Sequence, residues 1–234
     1  MEVKFLRIIA IANQKGGVGK TTSCVNIAAA LGYKGRKVLI VDMDPQGHST
    51  SGLGLDKSKL SHSVYDVLIN DLKPKDALCS TPWKGVFILP ARLELAGAEV
   101  ELVGLLSRET RLVRALSDLK DFDLVFIDCP PSLGLLTVNA LAAAETVIVP
   151  IQCEYYALEG LSQLVGTIEL IRHHLNEKLH IGGVILTMYD ARTNLSKEVA
   201  DEVRRQFPGV VFSTVIPRNV RISEAPSYGQ PIIY

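Results

Sequence analysis

The sequence predicts a single α/β domain, a mostly parallel twisted sheet with helices on both faces. Three observations carry that prediction. Short runs rich in β-branched residues alternate along the chain with longer segments of helical spacing, the order that gives parallel strands joined by crossover helices. The first of these runs, Leu6 to Ala12, is continuously apolar, as a strand buried on both faces must be. It passes directly into a glycine-rich turn, Asn13-Gln14-Lys15-Gly16-Gly17-Val18-Gly19-Lys20-Thr21-Thr22, which opens a helix.

The elements follow in order. Thr21 to Tyr33 carries Val25, Ile27, Ala28 and Leu31 at helical spacing, and Gly32 and Gly35 close it. Lys37 to Val41 reads as the next strand and runs into Asp42-Met43-Asp44-Pro45-Gln46-Gly47, two acids at a strand's carboxyl end, where α/β sheets place their ligands. From His48 to Pro82 the signals weaken, and a surface excursion with one short helix over Val64 to Ile69 is expected. Val86 to Pro90 is a strand, and Leu93 to Leu119 holds one or two amphipathic helices. Leu124-Val125-Phe126-Ile127-Asp128 is four apolar residues running into an acid, with Pro130-Pro131 stiffening the exit and Gly134 a pivot. Leu133 to Ile151 reads as helix then strand, and Gln152 to Gly160 leads into a helix ending near His174. Ile181 to Met188 is a strand, Ser196 to Phe207 a charged helix, and Val210 to Ile216 a last strand followed by Pro217-Arg218-Asn219-Val220-Arg221. No internal repeat or linker interrupts the series.

Composition narrows the function classes. The chain of 234 residues is 47% hydrophobic, enough for a substantial core, and its 25 basic and 25 acidic side chains balance. Attraction to nucleic acid or anionic lipid must therefore come from a local patch. Cys24, Cys79, Cys129 and Cys153 are scattered without zinc-ligand spacing and read as free thiols of a reducing compartment. His173 and His174 fall at a helix end and read as surface residues. The start of the chain lacks a signal-peptide core and no apolar run is long enough to span a bilayer, so a cytoplasmic protein is expected.

The chemistry is concentrated in the glycine-rich turn. Such a turn between strand and helix aims several backbone N–H groups at one oxyanion, and the helix N-terminus adds a favourable dipole. In the P-loop pattern Gly-x-x-x-x-Gly-Lys-Ser/Thr, the lysine reaches the β- and γ-phosphates and the hydroxyl ligates magnesium. Gly19-Lys20-Thr21 fits its end, but Gln14 stands where the first glycine belongs, and a second lysine, Lys15, sits on the other lip. Lys-Gly-Gly-x-Gly-Lys-Thr-Thr is the signature of the deviant Walker A ATPases. The run ending in Asp128 has the Walker B layout, in which the acid holds a magnesium-bound water near the γ-phosphate.

Taken together, the motifs at Lys15–Thr22, Val41–Gly47, Phe126–Ser132, Glu154–Gly160, Thr187–Thr193 and Ile216–Ser227 make the chain closely resemble the chromosomal ParA/Soj partitioning ATPases over nearly its whole length. The resemblance implies a P-loop ATPase that forms an ATP-dependent sandwich dimer, binds double-stranded DNA without sequence preference and is discharged by a ParB-type partner. It would be cytoplasmic and nucleoid-associated, without membrane attachment. In that frame Gly16, Gly17, Val18, Gly19, Lys20, Thr21 and Thr22 wrap the phosphates of ATP, and Thr21, Asp42 and Asp128 serve Mg²⁺ or its hydration shell. Asp44 orients or deprotonates the attacking water, and Lys15 crosses the dimer interface to the partner's phosphates. Adenine is expected near Met188, Pro217, Arg218 and Asn219, and DNA phosphates at Arg218 and Arg221, with Arg192. The domain would span 1–234 and lack the further helix with which family members continue past Gly229-Gln-Pro-Ile. Three other readings share the loop: a MinD-like membrane ATPase, which needs a basic amphipathic helix, a relative of nitrogenase iron protein, which needs cluster-binding cysteines, and a dethiobiotin-synthetase-like ligase, which needs an acceptor pocket. No residues commit to any of the three.

Overall fold

The computed structural model describes residues 6–155 and 161–234; of the 154–160 motif, residues 156–160 lie outside the described residues, as do residues 1–5. The strands are β1 (Arg7–Ile11), β2 (Val38–Asp42), β3 (Cys79–Ser80), β4 (Val86–Leu89), β5 (Leu124–Asp128), β6 (Thr146–Gln152), β7 (His180–Tyr189) and β8 (Val211–Pro217). They form one sheet in the order β3-β4-β2-β5-β1-β6-β7-β8, parallel except for β3 at one edge. The chain leaves β1 toward the β2 side and later crosses to β6 on its other side. That reversal opens a crevice at the carboxyl end of β1, where the glycine-rich turn lies.

The helices are α1 (Lys20–Tyr33), α2 (His48–Gly52), α3 (Val64–Ile69), α4 (Pro74–Ala77), α5 (Leu95–Glu101), α6 (Arg111–Leu116), α7 (Leu135–Ala143), α8 (Leu161–His174), α9 (Asn194–Gln206) and α10 (Val220–Glu224). Successive side chains of a strand point to opposite faces, and the core divides accordingly. Val38, Ile40, Ile88 and Phe126 pack with Cys24, Val25 and Ala28 of α1. Leu39, Val41, Val125 and Ile127 pack on the other face in the core that takes in α5 to α9. By the same alternation Asp42 and Asp128 fall on the face covered by α1.

One expectation needs revision, and two segments gain detail. The segment after His48 is no surface excursion: Ser49, Thr50, Leu53, Val64 and Leu68 are buried, because α2 turns its polar side chains inward to the acids of β2 and β5. The 93–119 region resolves into α5 and α6, joined by a 3₁₀ turn over Leu102–Gly104. The segment after β8 turns into α10, started by the Asn219 side chain accepting from the Arg221 N–H at 2.9 Å. A helix this short leaves no periodic signal to read. His173 and His174 are exposed at the end of α8 as expected. The four cysteines are free thiols.

Candidate functional site

The glycine-rich turn is bolted to two strands beyond its own. Asn13 donates to the Pro150 carbonyl at the end of β6 at 2.7 Å and accepts from the Lys15 N–H at 2.9 Å. Thr187, near the end of β7, donates to the Val18 carbonyl at 2.8 Å. Gly17 and Gly19 take φ of 73° and 90°, in the left-handed region that favours glycine. Gly16 and Gly17 are exposed, and a Cβ on either would meet nothing within 4 Å, so the turn has open space in front of it. No acid occupies the first turn of α1, which leaves its positive dipole end uncompensated.

Lys20 is buried, and its ammonium spans the turn to donate to the Lys15 carbonyl at 3.0 Å. Burial lowers its pKa, opposed chiefly by the nearby charge of Asp128. A lysine so placed gains from any anion entering the turn. Lys15 differs: its backbone is committed on both sides, while its half-buried side chain has no hydrogen bond or ion pair among the described residues.

The acids meet because Asp42 and Asp128 are register partners on adjacent strands. Both are fully buried. Asp42 accepts from the Thr50 N–H at 2.8 Å, the Thr50 hydroxyl at 2.7 Å and the Asp44 N–H at 3.3 Å. Asp128 accepts from the Ser49 hydroxyl at 2.7 Å, but its Oδ1 is buried without a hydrogen bond. Burial, with the charge of Asp128 second, pushes Asp42 up to about 7. Burial likewise pushes Asp128 up to about 6, held back by the hydroxyls of Ser49 and Thr21. Two carboxylates in this condition, one with an open oxygen, fit a hard divalent cation. Among the described residues no three His, Cys, Asp or Glu side chains converge as a complete metal cage. Magnesium suits such a site because it keeps waters and takes further oxygens from phosphates. Asp44 sits at the lip, nearly buried, accepting from the Gln46 N–H at 2.9 Å.

Sequence reasoning missed Asn13, Ser49, Thr50 and Thr187. Asn13 and Thr187 had a signal, their places at the head of the glycine-rich turn and in the 187–193 motif. Thr50 also accepts from the Ala91 N–H at 3.0 Å, so its hydroxyl joins β2, α2 and the exit of β4. Thr50→Val removes one bond to a buried carboxylate and orphans a buried N–H, at an expected cost of about 2 to 4 kcal/mol in urea unfolding. A loss below about 0.5 kcal/mol would deny the hydroxyl this role.

Met188, Pro217, Arg218 and Asn219 line one cleft of about 160 Å³ together with Gly19 and Thr22, so the expected base-binding residues adjoin the phosphate turn. Met188 has φ of 51°, an uncommon conformation for a bulky residue and of the kind that collects at ligand sites. The Asn219 side-chain oxygen is engaged in starting α10.

The candidate phosphate-binding arginines are grouped at the carboxyl ends of β7 and β8, where the Arg218 N–H donates to the Tyr189 carbonyl at 3.1 Å. Arg192 makes a two-pronged pair with Asp190 at 2.9 and 2.7 Å, and its hydrogen bonds hold Asp190 down to about 2. Arg218 pairs with Glu154 at 2.6 Å. The Arg221 side chain has no such partner among the described residues. No helix among them is long and apolar enough to cross a membrane.

Comparison with known proteins bears on this geometry. A family described as an AAA domain matches residues 6–181. The sporulation initiation inhibitor protein Soj of Bacillus subtilis (strain 168) is 58% identical over 228 residues, covering 97% of this chain and 90% of that protein. The chromosome partitioning protein ParA of Myxococcus xanthus (strain DK1622) is 53% identical, covering 97% of this chain and 81% of that protein. A crystal structure of cobyrinic acid a,c-diamide synthase from Mycobacterium smegmatis with bound ADP and magnesium matches with a TM-score of 0.88 at 45% identity, covering 96% of this chain and 93% of that one.

Proposed function

The chain belongs to the ParA/Soj family of chromosome-partitioning ATPases, and from that premise we propose that it works as an ATP-driven dimerisation switch on DNA. ATP with Mg²⁺ occupies the turn, two copies close on the nucleotides, the dimer holds DNA without sequence preference, and a ParB-type partner triggers hydrolysis. The observation that carries the reading is the convergence of Lys20, Asp44 and the half-satisfied Asp128 in front of the α1 N-terminus. The synthase described above shares this fold, but the identity is higher to partitioning proteins.

In this mechanism the N–H groups of residues 16–22 receive the phosphate oxygens, with Thr22 at the α-phosphate, and Lys20 neutralises the β/γ oxygens. Thr21 and Asp128 hold the metal side, and Asp42 supports its hydration shell through the network with Thr50. A bound magnesium would supply charge neutralisation to the phosphates. Asp44 orients the attacking water and takes its proton as the water oxygen bonds to the γ-phosphorus and the bond to the β–γ bridging oxygen breaks. Lys15 of the second copy stabilises the charge that develops on the transferring group, as an arginine finger does.

Sedimentation with ADP and with ATP, with and without DNA, tests the scheme. A dimer is expected with ATP alone, and DNA binding only in that state. An ATP-loaded monomer turning over at full rate would sink it. Co-sedimentation with DNA against liposomes separates this reading from a MinD-like one.

For DNA, Arg218 and Arg221 from two copies give four phosphate contacts and a log–log salt slope of roughly −3.6. Exposed ion pairs such as Arg218–Glu154 are worth about 0 to 1 kcal/mol, so a phosphate can displace the acid at little cost. Arg218→Glu is expected to dimerise with ATP yet weaken DNA binding about tenfold or more at low salt. Unchanged binding in co-sedimentation would remove Arg218 from the interface.

A further inference from the structure

Glu99, on α5, reaches across to the start of α7. The Leu135 N–H donates to one carboxylate oxygen at 2.7 Å and the Leu136 N–H to the other at 3.2 Å. These are N–H groups that a helix cannot satisfy within itself. α7 has no cap of its own, because its N-cap residue is Gly134. A Cβ on Gly134 would stand 2.5 Å from both Glu99 oxygens, so the glycine is what admits the acid. The helix therefore starts where a residue 36 positions earlier in the chain holds it.

The rest of α7 is already fixed. Asn176 donates to the carbonyls of Leu141, Ala142 and Ala144 at 3.3, 3.0 and 2.6 Å, anchoring its far end. Buried Asn139 accepts from the Leu112 N–H at 3.1 Å and donates to the Arg108 carbonyl at 2.7 Å. The first turn is held by Glu99 and by Asn139, which also donates to the Leu135 carbonyl at 2.9 Å, and it is joined to Asp128 by residues 129–134. Pro130 and Pro131 fix φ in that connection, and the Thr137 hydroxyl ties the Ser132 carbonyl back to α7 at 2.6 Å. Asp128 itself is held in the sheet, its carbonyl accepting from the Met43 N–H at 2.9 Å, so a shift of the first turn would fall on the 129–134 loop that leaves it.

We propose that Glu99 is a positioning residue for ATP hydrolysis: its carboxylate clamps the first turn of α7, and with it the course of the 129–134 loop that leaves Asp128 at the site. The proposal rests on Asp128 serving the ATPase site. Glu99 touches neither nucleotide nor metal in this scheme, so its removal should lower turnover without weakening ATP binding.

Wild type, Glu99→Ala, Glu99→Gln and Gly134→Ala are compared for kcat and KM of ATP hydrolysis, urea midpoint, and hydrogen exchange of a peptide spanning 130–138. Glu99→Ala is expected to lower kcat about tenfold or more, with KM within about twofold of wild type and faster exchange in that peptide. Glu99→Gln keeps an acceptor for one of the two N–H groups and should recover most of the rate. Gly134→Ala, which displaces the carboxylate while leaving its charge, should repeat the kcat loss even if Glu99→Ala folds poorly. Wild-type kcat in both Glu99→Ala and Gly134→Ala overturns the proposal, as does a Glu99→Gln protein no faster than Glu99→Ala. Wild-type protein without ATP turnover would instead overturn the ATPase assignment of Asp128, and the clamp with it.

Discussion

Lys15→Ala protein is expected to bind ATP nearly as wild type does, fail to dimerise with it, and hydrolyse it about 10³ to 10⁵ times more slowly, a barrier increase of roughly 4 to 7 kcal/mol. The backbone ensures that only the ammonium is lost. The Lys15 N–H is held by Asn13 and its carbonyl by Lys20, and neither bond depends on the side chain. The turn should therefore keep its shape in the variant. The ammonium itself is uncommitted among the described residues, whereas Lys20 already serves its own turn, so the two lysines are not interchangeable. Turnover per subunit at high protein concentration, beside a nucleotide-affinity measurement, checks this. A wild-type rate would return Lys15 to the ordinary surface.

Asp44→Ala is expected to accumulate as the ATP-bound dimer, with hydrolysis reduced about 10² to 10⁴ times, the range for removing a group that handles the attacking water's proton. The structural cost should be small. Asp44 gives up one side-chain hydrogen bond, from the Gln46 N–H, worth about 1 kcal/mol, while Asp42 and Asp128 keep their hydroxyl partners on α2. Sizing with ATP reads the result directly, and a monomer there would place Asp44 outside the hydrolytic step. The two variants are informative as a pair: one should bind ATP and stay single, the other should bind ATP and stay double.

Much of the fold was legible because its strands are buried on both faces and its longer helices carry their own period. β1, β2, β5 and β6 announce themselves as apolar runs, and the short helix over Val64–Ile69 stands where it was expected. The glycine-rich turn between β1 and α1 was legible because a pattern meant to meet an anion needs glycine, lysine and hydroxyl at fixed offsets. What escaped notice is held by contacts distant in sequence. Ser49 reaches Asp128 across 79 residues, Asn13 reaches Pro150 across 137, and Glu99 caps a helix that gives no local hint of needing it. The arginines show a related limit. Composition revealed their charge, but not that Arg192 and Arg218 stand against Asp190 and Glu154. Any nucleic acid must compete with those acids.

Every position of β2 is buried, Val38 through Asp42. A strand greasy on both sides has no preference for which side is which, so hydrophobicity does not record its phase. Sliding it by one residue would preserve the core and turn Asp42 away from Thr50 and α1. In this strand a single-residue insertion or deletion should therefore leave both apolar layers filled yet strip the Asp42 carboxylate of its partners, at a cost to stability and chemistry alike, and the one polar letter at its end is what keeps count.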